Sequence, residues 1–188
     1  MRQAWQLSLL LAAGVSAGVL DRIAVTVGND AITEGEVLEE IRITSFLNGD
    51  PLDFSPDARR AAADRLVDQY LIRRELASGG YSAANPAQAD KVLADFMKTH
   101  FHSRAEYEQK LKHYGVTQDE LKAHLLFQLQ ALQFTDLRFT PAQPNEADRV
   151  ASPGSDGTPP SNVDKQLETW LKQVRSHTRV EFKKEAFQ

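Results

Sequence analysis

The histidines of this sequence are the side chains with the clearest potential for chemistry. His100 and His102 are separated by one residue, and Glu106 follows. Two imidazoles and a carboxylate can bind zinc when the backbone places them on one side, but a zinc site needs three or four ligands. A polar ring near the carbonyl end of a helix is the simpler interpretation. We therefore predict no metal site, and we expect both rings near the end of a helix.

Other common chemistries are excluded by composition and motif. The chain has no cysteine, which excludes disulfides, thiolate nucleophiles and cysteine-bound zinc. It contains no phosphate-binding glycine loop, no nucleophile elbow and no metalloprotease helix motif. A net charge of −4 without a basic stripe argues against nucleic-acid binding. The residues thus favour a protein that is not an enzyme and that uses no cofactor.

A second group of candidate residues is apolar and mostly aromatic. Such side chains can line a groove for an extended apolar polypeptide, since methionine and aromatic rings adapt to varied partners. At helical spacing, however, most residues of this kind fill a core. The candidate peptide-binding residues are Phe96, Met97, Phe101, Tyr107, Phe127 and Phe134.

The first residues predict export. Arg2 precedes the apolar run from Leu7 to Val15, and small residues follow up to Ala17. This is the pattern of a cleaved signal peptide, here residues 1–17. The run is shorter than the ~20 apolar residues that cross a bilayer, so we expect a periplasmic protein with no stable membrane span after cleavage.

The periodicity of apolar residues then predicts one mainly helical domain. Alternation from Ile23 to Ile32 predicts a β hairpin. Capping residues or proline at the first helical position predict where the helices begin. These starts follow Thr33, Ser55, Asn85, Ser103 and Thr117, with capping boxes at Thr33/Glu36, Ser103/Glu106 and Thr117/Glu120, and a last helix starts at Val163.

Residues 140–162 differ in composition from the rest of the chain. They are rich in Pro, Gly, Ser, Asp and Asn, which predicts a flexible linker. The helix and the strand that follow, within residues 163–188, cannot be stable alone. We therefore predict that they dock back on the core and that the strand completes the hairpin. The predicted fold is a compact, mainly α bundle of about six helices with this small sheet.

The residues from Val19 to Thr33 closely resemble the start of SurA-type periplasmic chaperones, members of the trigger-factor/SurA peptide-binding superfamily. The run Asp64 to Ile72 looks like the second helix of that family, and the region from Tyr107 to Phe134 is similar to its later helices. The segment from Lys165 to Lys183 resembles the family's returning helix and strand.

The resemblance implies a chaperone core in residues 18–139 and 163–188, with the linker in place of the parvulin prolyl isomerase domain. It implies an ATP-independent chaperone of outer-membrane protein biogenesis that binds unfolded or partly folded exported polypeptides, with no cofactor and no nucleic acid. Two alternatives stay open. The protein could be a member of the peptidyl-prolyl cis-trans isomerase family that is a relict or whose catalysis lies elsewhere, or it could be an envelope adaptor module.

Overall fold

The computed structural model describes residues 21–139 and 162–188. In these ranges the predicted fold class is confirmed: the chain is mainly α, with a small three-stranded antiparallel sheet. The predicted signal peptide and residues 140–161 of the predicted linker lie outside the described residues. The elements are β1 (Ile23–Val27), β2 (Asp30–Thr33), α1 (Glu34–Asn48), α2 (Pro56–Ser78), α3 (Pro86–His100), α4 (Arg104–Tyr114), α5 (Gln118–Phe139), α6 (Asn162–Ser176), β3 (Val180–Phe182) and a closing 3₁₀ helix (Lys184–Phe187).

The sheet joins the two ends of the described chain. Its strand order is β2-β1-β3, with both pairings antiparallel. Gly28, at φ 63°, makes the tight turn between β1 and β2, a backbone conformation that glycine adopts without steric cost. Val25 pairs with Phe182 and Val27 with Val180. The last strand therefore completes the hairpin, as predicted.

The alternation predicted for β1 is wrong at its first residue. The register with β2 shifts between Ile23 and Val25, and such a bulge changes the face to which side chains point. As a result, Ala24 and Val25 are both buried, whereas Ile23 is 46% exposed.

Two of the three predicted capping boxes are present in full. The Thr33 hydroxyl accepts from the Glu36 amide at 3.2 Å, and the Glu36 carboxylate accepts from the Thr33 amide at 2.7 Å. Thr117 and Glu120 repeat this geometry at the start of α5. At α4 the box is only half formed, since the Glu106 carboxylate accepts from the amide of His102, the residue before the cap.

The core consists of three apolar clusters that share long helices. The first packs the sheet on α1 and α2. The second joins the end of α1 to α3, α4 and the first half of α5. The third lies among α2, α5 and α6. Helices α2 and α5 thus form the surface on which α6 docks, and α6 begins at Asn162, one residue before the predicted start.

Two helices expose more apolar surface than the sequence predicts. The spacing on α3 predicts a single buried face that includes Val92, yet Val92 is 39% exposed. The apolar residues of α5 spread around the helix, which predicts packing on several sides from about Gln118 to Phe134. The helix instead continues to Phe139. In its second half Leu132 and Leu137 are 62% and 71% exposed. The second cluster packs around the first half of α5, which explains why Leu121 and Leu125 are buried and the later leucines are not.

Candidate functional site

The six predicted peptide-binding residues do not form one surface. Four of them belong to the second core cluster: Phe96, Met97, Phe101 and Tyr107. Phe127 and Phe134 belong to the third. Tyr107, Phe127 and Phe134 are buried in this conformation, so their rings present almost no surface to a partner.

The second cluster is organised around a residue that the prediction did not include. The ring of Phe46 lies within about 6 Å of four other aromatic rings, which belong to Phe96, Phe101, Tyr107 and Tyr114. These pairs are tilted, stacked or edge-to-face, and aromatic pairs of such geometry add stability beyond the area that they bury. Burial raises the pKa of Tyr107. The cluster therefore holds α1, α3 and α4 together and is a structural core.

The third cluster is a groove filled by α6. We call it the α6 groove: it is formed by Ile72 and Leu76 of α2 and by Phe127 and Phe134 of α5. Trp170 of α6 is the buried side chain at its centre, with its ring 5.3 Å from that of Phe134. The side chains that flank Trp170 on α6 are partly buried in the same cluster: Leu167, Leu171 and Val174.

Charged residues fix α6 at one end of the α6 groove. Arg175 donates from Nε to the Asp68 carboxylate at 2.7 Å and from Nη2 to the Asp64 backbone carbonyl at 2.7 Å. Burial raises the pKa of Asp68, and the adjacent Arg175 guanidinium opposes that rise. The half-buried carboxylate thus depends on a cation that α6 supplies.

An open cavity adjoins the other part of α6. It has a volume of about 700 Å³ and is lined by the end of α5 and by α6 residues between Asn162 and Gln173, including Arg138, Lys165 and Trp170. Arg138 is paired with Glu75 of α2 at 2.6 Å and lies 5.4 Å from the centre of the Trp170 ring. Its lining of aromatic rings and basic groups is mixed, so it does not resemble an enclosed pocket for a small apolar ligand.

A polar network between α1, α2 and α5 was not predicted from the sequence. Glu40 is buried and accepts from Arg65 at 3.1 Å and from Gln69 at 3.2 Å. The Nδ1 atom of His124 lies 3.8 Å from the same carboxylate, and its Nε2 atom is 2.9 Å from the Gln128 amide nitrogen. Burial lowers the pKa of His124, which outweighs the opposing effect of Glu40. A neutral imidazole therefore fits this site near pH 7.

The network borders an acidic cleft of about 190 Å³. Burial, followed by the nearby carboxylates of Glu120 and Glu36, raises the pKa of Glu39. The carboxylates of Glu36 and Glu120 already serve capping boxes, and Tyr70 donates to Glu36 at 2.8 Å. Burial and that hydrogen bond raise the pKa of Tyr70 to about 12. These acids stabilise helix ends and helix contacts.

His100 and His102 lie at the end of α3 and in the short segment that follows it. His100 ends α3, where its ring contacts the Phe96 carbonyl oxygen at 3.0 Å, as the helix-end interpretation predicts. His102 lies two residues beyond the end of α3 and just before α4, where its ring contacts Glu106 at 3.2 Å. Among residues 21–139 and 162–188, no group of three or more His, Asp and Glu side chains is placed to hold a metal ion.

Comparisons with known proteins assign neither a family nor a function to this chain. A scan against protein-family models found no match, and a search of the curated proteins found none either. Within the described ranges, no helix has the length and apolar character needed to cross a membrane.

The sequence signal for the α6 groove lay in α6 itself. Leu167, Trp170, Leu171 and Val174 follow the spacing i, i+3, i+4, i+7 of one apolar face. That spacing predicts a docked helix but does not say which surface receives it. Glu40 and His124 gave no signal, because they come together only when α1 and α5 pack against each other.

Proposed function

We propose that this chain is an ATP-independent chaperone that holds unfolded exported polypeptides, and outer-membrane proteins in particular, in the periplasm. The proposal includes a non-catalytic role: the protein binds its clients reversibly and releases them unchanged. Reversible binding of unfolded chains lowers the concentration of aggregation-prone species without any energy source.

The observation that carries the proposal is that the last helix and strand pack on the first part of the chain. The last helix packs on α2 and α5, and β3 pairs with β1. The resemblance to SurA-type chaperones implies this arrangement, in which the chain returns to finish a core that its first half began. In the sequence, residues 140–162 stand where the family has an isomerase domain, and their composition supports a role without isomerase activity.

Exposed apolar side chains give further support. Leu132 and Leu137 lie on the second half of α5 with most of their surface free. Together with Val92 they offer much less than the ~800 Å² that each partner contributes to a standard protein interface. An area of this size suits weak contacts with short apolar segments better than a stable complex between two folded proteins.

The test uses the chain from Gly18 onward, the form left by the predicted signal cleavage. An outer-membrane protein is diluted from denaturant with and without this chain, and aggregation is followed by light scattering. We expect suppression at stoichiometric amounts, and no effect of added ATP. Prolyl isomerisation is measured on the same sample.

Each outcome separates the alternatives. Suppression without isomerisation supports the proposal. Isomerisation would favour the enzyme alternative. If neither activity is found, and the chain binds one folded envelope protein tightly, the adaptor alternative replaces the chaperone.

A further inference from the structure

The α6 groove has the form of a peptide-recognition site that is already occupied. An amphipathic helix with anchors at i, i+3, i+4 and i+7 in an apolar groove is a recurring mode of peptide recognition. Leu167, Trp170, Leu171 and Val174 of α6 provide such anchors, and α2 and α5 provide the groove. Helix α6 therefore occupies the groove as a ligand would.

The surface beneath α6 is built from apolar side chains. Ile72, Leu76, Phe127 and Phe134 are all buried in the cluster that contains Trp170. Removal of α6 would uncover the side of Phe134 that Trp170 covers, and Ile72, Leu76 and Phe127 belong to the same apolar cluster. Contiguous exposed apolar patches of that kind mark interaction sites. Two of the residues, Phe127 and Phe134, are among those that the sequence suggested for peptide binding.

Helix α6 buries fewer side chains than α2, one of the two helices on which it packs. In α6 only Trp170 is buried, whereas α2 buries seven residues, including Leu66, Val67 and Leu71. The ion pairs from Arg175 join side chains that are 31–41% exposed, and partly exposed ion pairs contribute little to stability. A competing segment would have few strong contacts to displace.

The acidic residues beside the α6 groove favour a positive charge on any segment that replaces α6. Asp64 and Asp68 hold the Arg175 guanidinium one residue beyond Val174, the last apolar anchor. If α6 leaves, the half-buried Asp68 carboxylate loses its cation, which is unfavourable unless another takes its place. A segment that ends in a lysine or arginine would restore the pair.

We infer that the α6 groove is the client-binding site, that α6 blocks it in the free protein, and that a client displaces α6 with an apolar, aromatic segment followed by a basic residue. This inference rests on the proposed function. The client then makes the contacts that Trp170 and Arg175 make in the free chain. Leu132 and Leu137 are available to a client before α6 moves.

Trp170 is a built-in reporter of the displacement. The sequence has two tryptophans, Trp5 and Trp170, so the chain from Gly18 onward retains only the one in the groove. Addition of a saturating, tryptophan-free unfolded client should shift its emission to the red and raise its quenching by acrylamide at least twofold. Emission and quenching that do not change at saturating client would overturn the inference.

A covalent tether tests the same point by function. The chain has no cysteine, so the double variant D68C/R175C can be bridged by a thiol-specific crosslinker that a reductant cleaves. The matched control is R104C/E108C, which replaces an ion pair within the exposed face of α4 and ties α6 to nothing. Client affinity is measured for both variants before crosslinking, after crosslinking and after reduction.

D68C itself removes the carboxylate that pairs with the client's basic residue, so each form is compared with the same variant before crosslinking. On that basis we expect the α6 tether to weaken client binding at least tenfold, reduction to restore the level before crosslinking, and the α4 tether to have no effect. Equal binding by the tethered and untethered forms would overturn the inference while leaving the proposed function intact. A loss of binding in all forms, including the unsubstituted chain, would instead overturn the proposed function and the inference with it.

Discussion

At the scale of single residues, Thr33 and Glu36 form a capping box at the start of α1, and Glu40 and His124 meet in a buried polar contact between α1 and α5. Thr33 and Glu36 signal a helix start because both partners lie within one turn of the chain. Glu40 and His124 gave no such signal, since their contact depends on how α1 packs against α5. Ser103 is an intermediate case. Its hydroxyl caps α4 as expected, but the Glu106 carboxylate accepts from the amide of His102 and not from that of Ser103.

His124 should make the stability of the fold depend on pH. Its pKa is lowered in the folded chain, so the unfolded chain binds a proton more readily. The contribution of His124 to stability is therefore fully present above the pKa of the unfolded chain, about 6.5. It is lost as the pH falls through that pKa towards the lower pKa of the folded chain. The groups that face the ring are Glu40 from α1, Arg65 and Arg73 from α2, and Gln128 from α5 itself.

We predict that H124Q loses less stability than the unsubstituted chain between pH 7 and pH 5. Urea unfolding at each pH measures the difference. Subtraction of the two curves removes the contributions of Asp68 and Glu39, whose raised pKa values act in the opposite direction. The control is H113Q, on the exposed face of α4. Parallel curves for H124Q and the unsubstituted chain would contradict the prediction.

Phe46 should be the most costly aromatic ring to remove from the second cluster. F46A deletes the ring that four others contact, and truncation of a buried phenylalanine costs about 3–5 kcal/mol of unfolding free energy. V92A, on an exposed position of α3, should cost no more than about 0.5 kcal/mol. Chemical denaturation measures both. A cost below ~1 kcal/mol for F46A would show that the cluster is not a rigid core.

At the scale of elements, helix starts were predictable and exposed faces were not. The apolar residues of α3 and α5 gave correct helices, but periodicity alone cannot show how far a neighbouring element extends. Leu125 and Leu132 illustrate this, since they lie seven residues apart on one side of α5 and only Leu125 is buried. The bulge in β1 exposes Ile23 for a comparable reason, because backbone register overrides side-chain alternation.

Helix α6 should open more readily than α2. Shallow burial and partly exposed ion pairs lower the free energy of local opening, and α6 has both. Hydrogen exchange of the chain from Gly18 onward should therefore show faster exchange in α6 than in the middle of α2. W170A should increase exchange in α6 and leave α4 unchanged. Equal protection of α6 and α2 would argue against a displaceable helix.

At the scale of the whole molecule, the closing of the fold was predictable on physical grounds. An isolated helix and a three-residue strand cannot be stable alone, so they had to dock on the remaining chain. The pairing of β3 with β1 follows that expectation. The binding surface was harder to predict, because the same aromatic residues can fill a core or line a groove. Tyr107 and Phe134 do the former in the free chain.

The preference for unfolded chains is the central property of the proposed chaperone, and direct binding measures it. A disulfide-containing protein is labelled with a fluorophore and used in two forms, one native and one reduced and alkylated so that it stays unfolded. Fluorescence anisotropy is followed as the chain from Gly18 onward is added. We predict reversible binding to the unfolded form and no binding to the native form. Equal binding to both forms, or binding to neither, would contradict it.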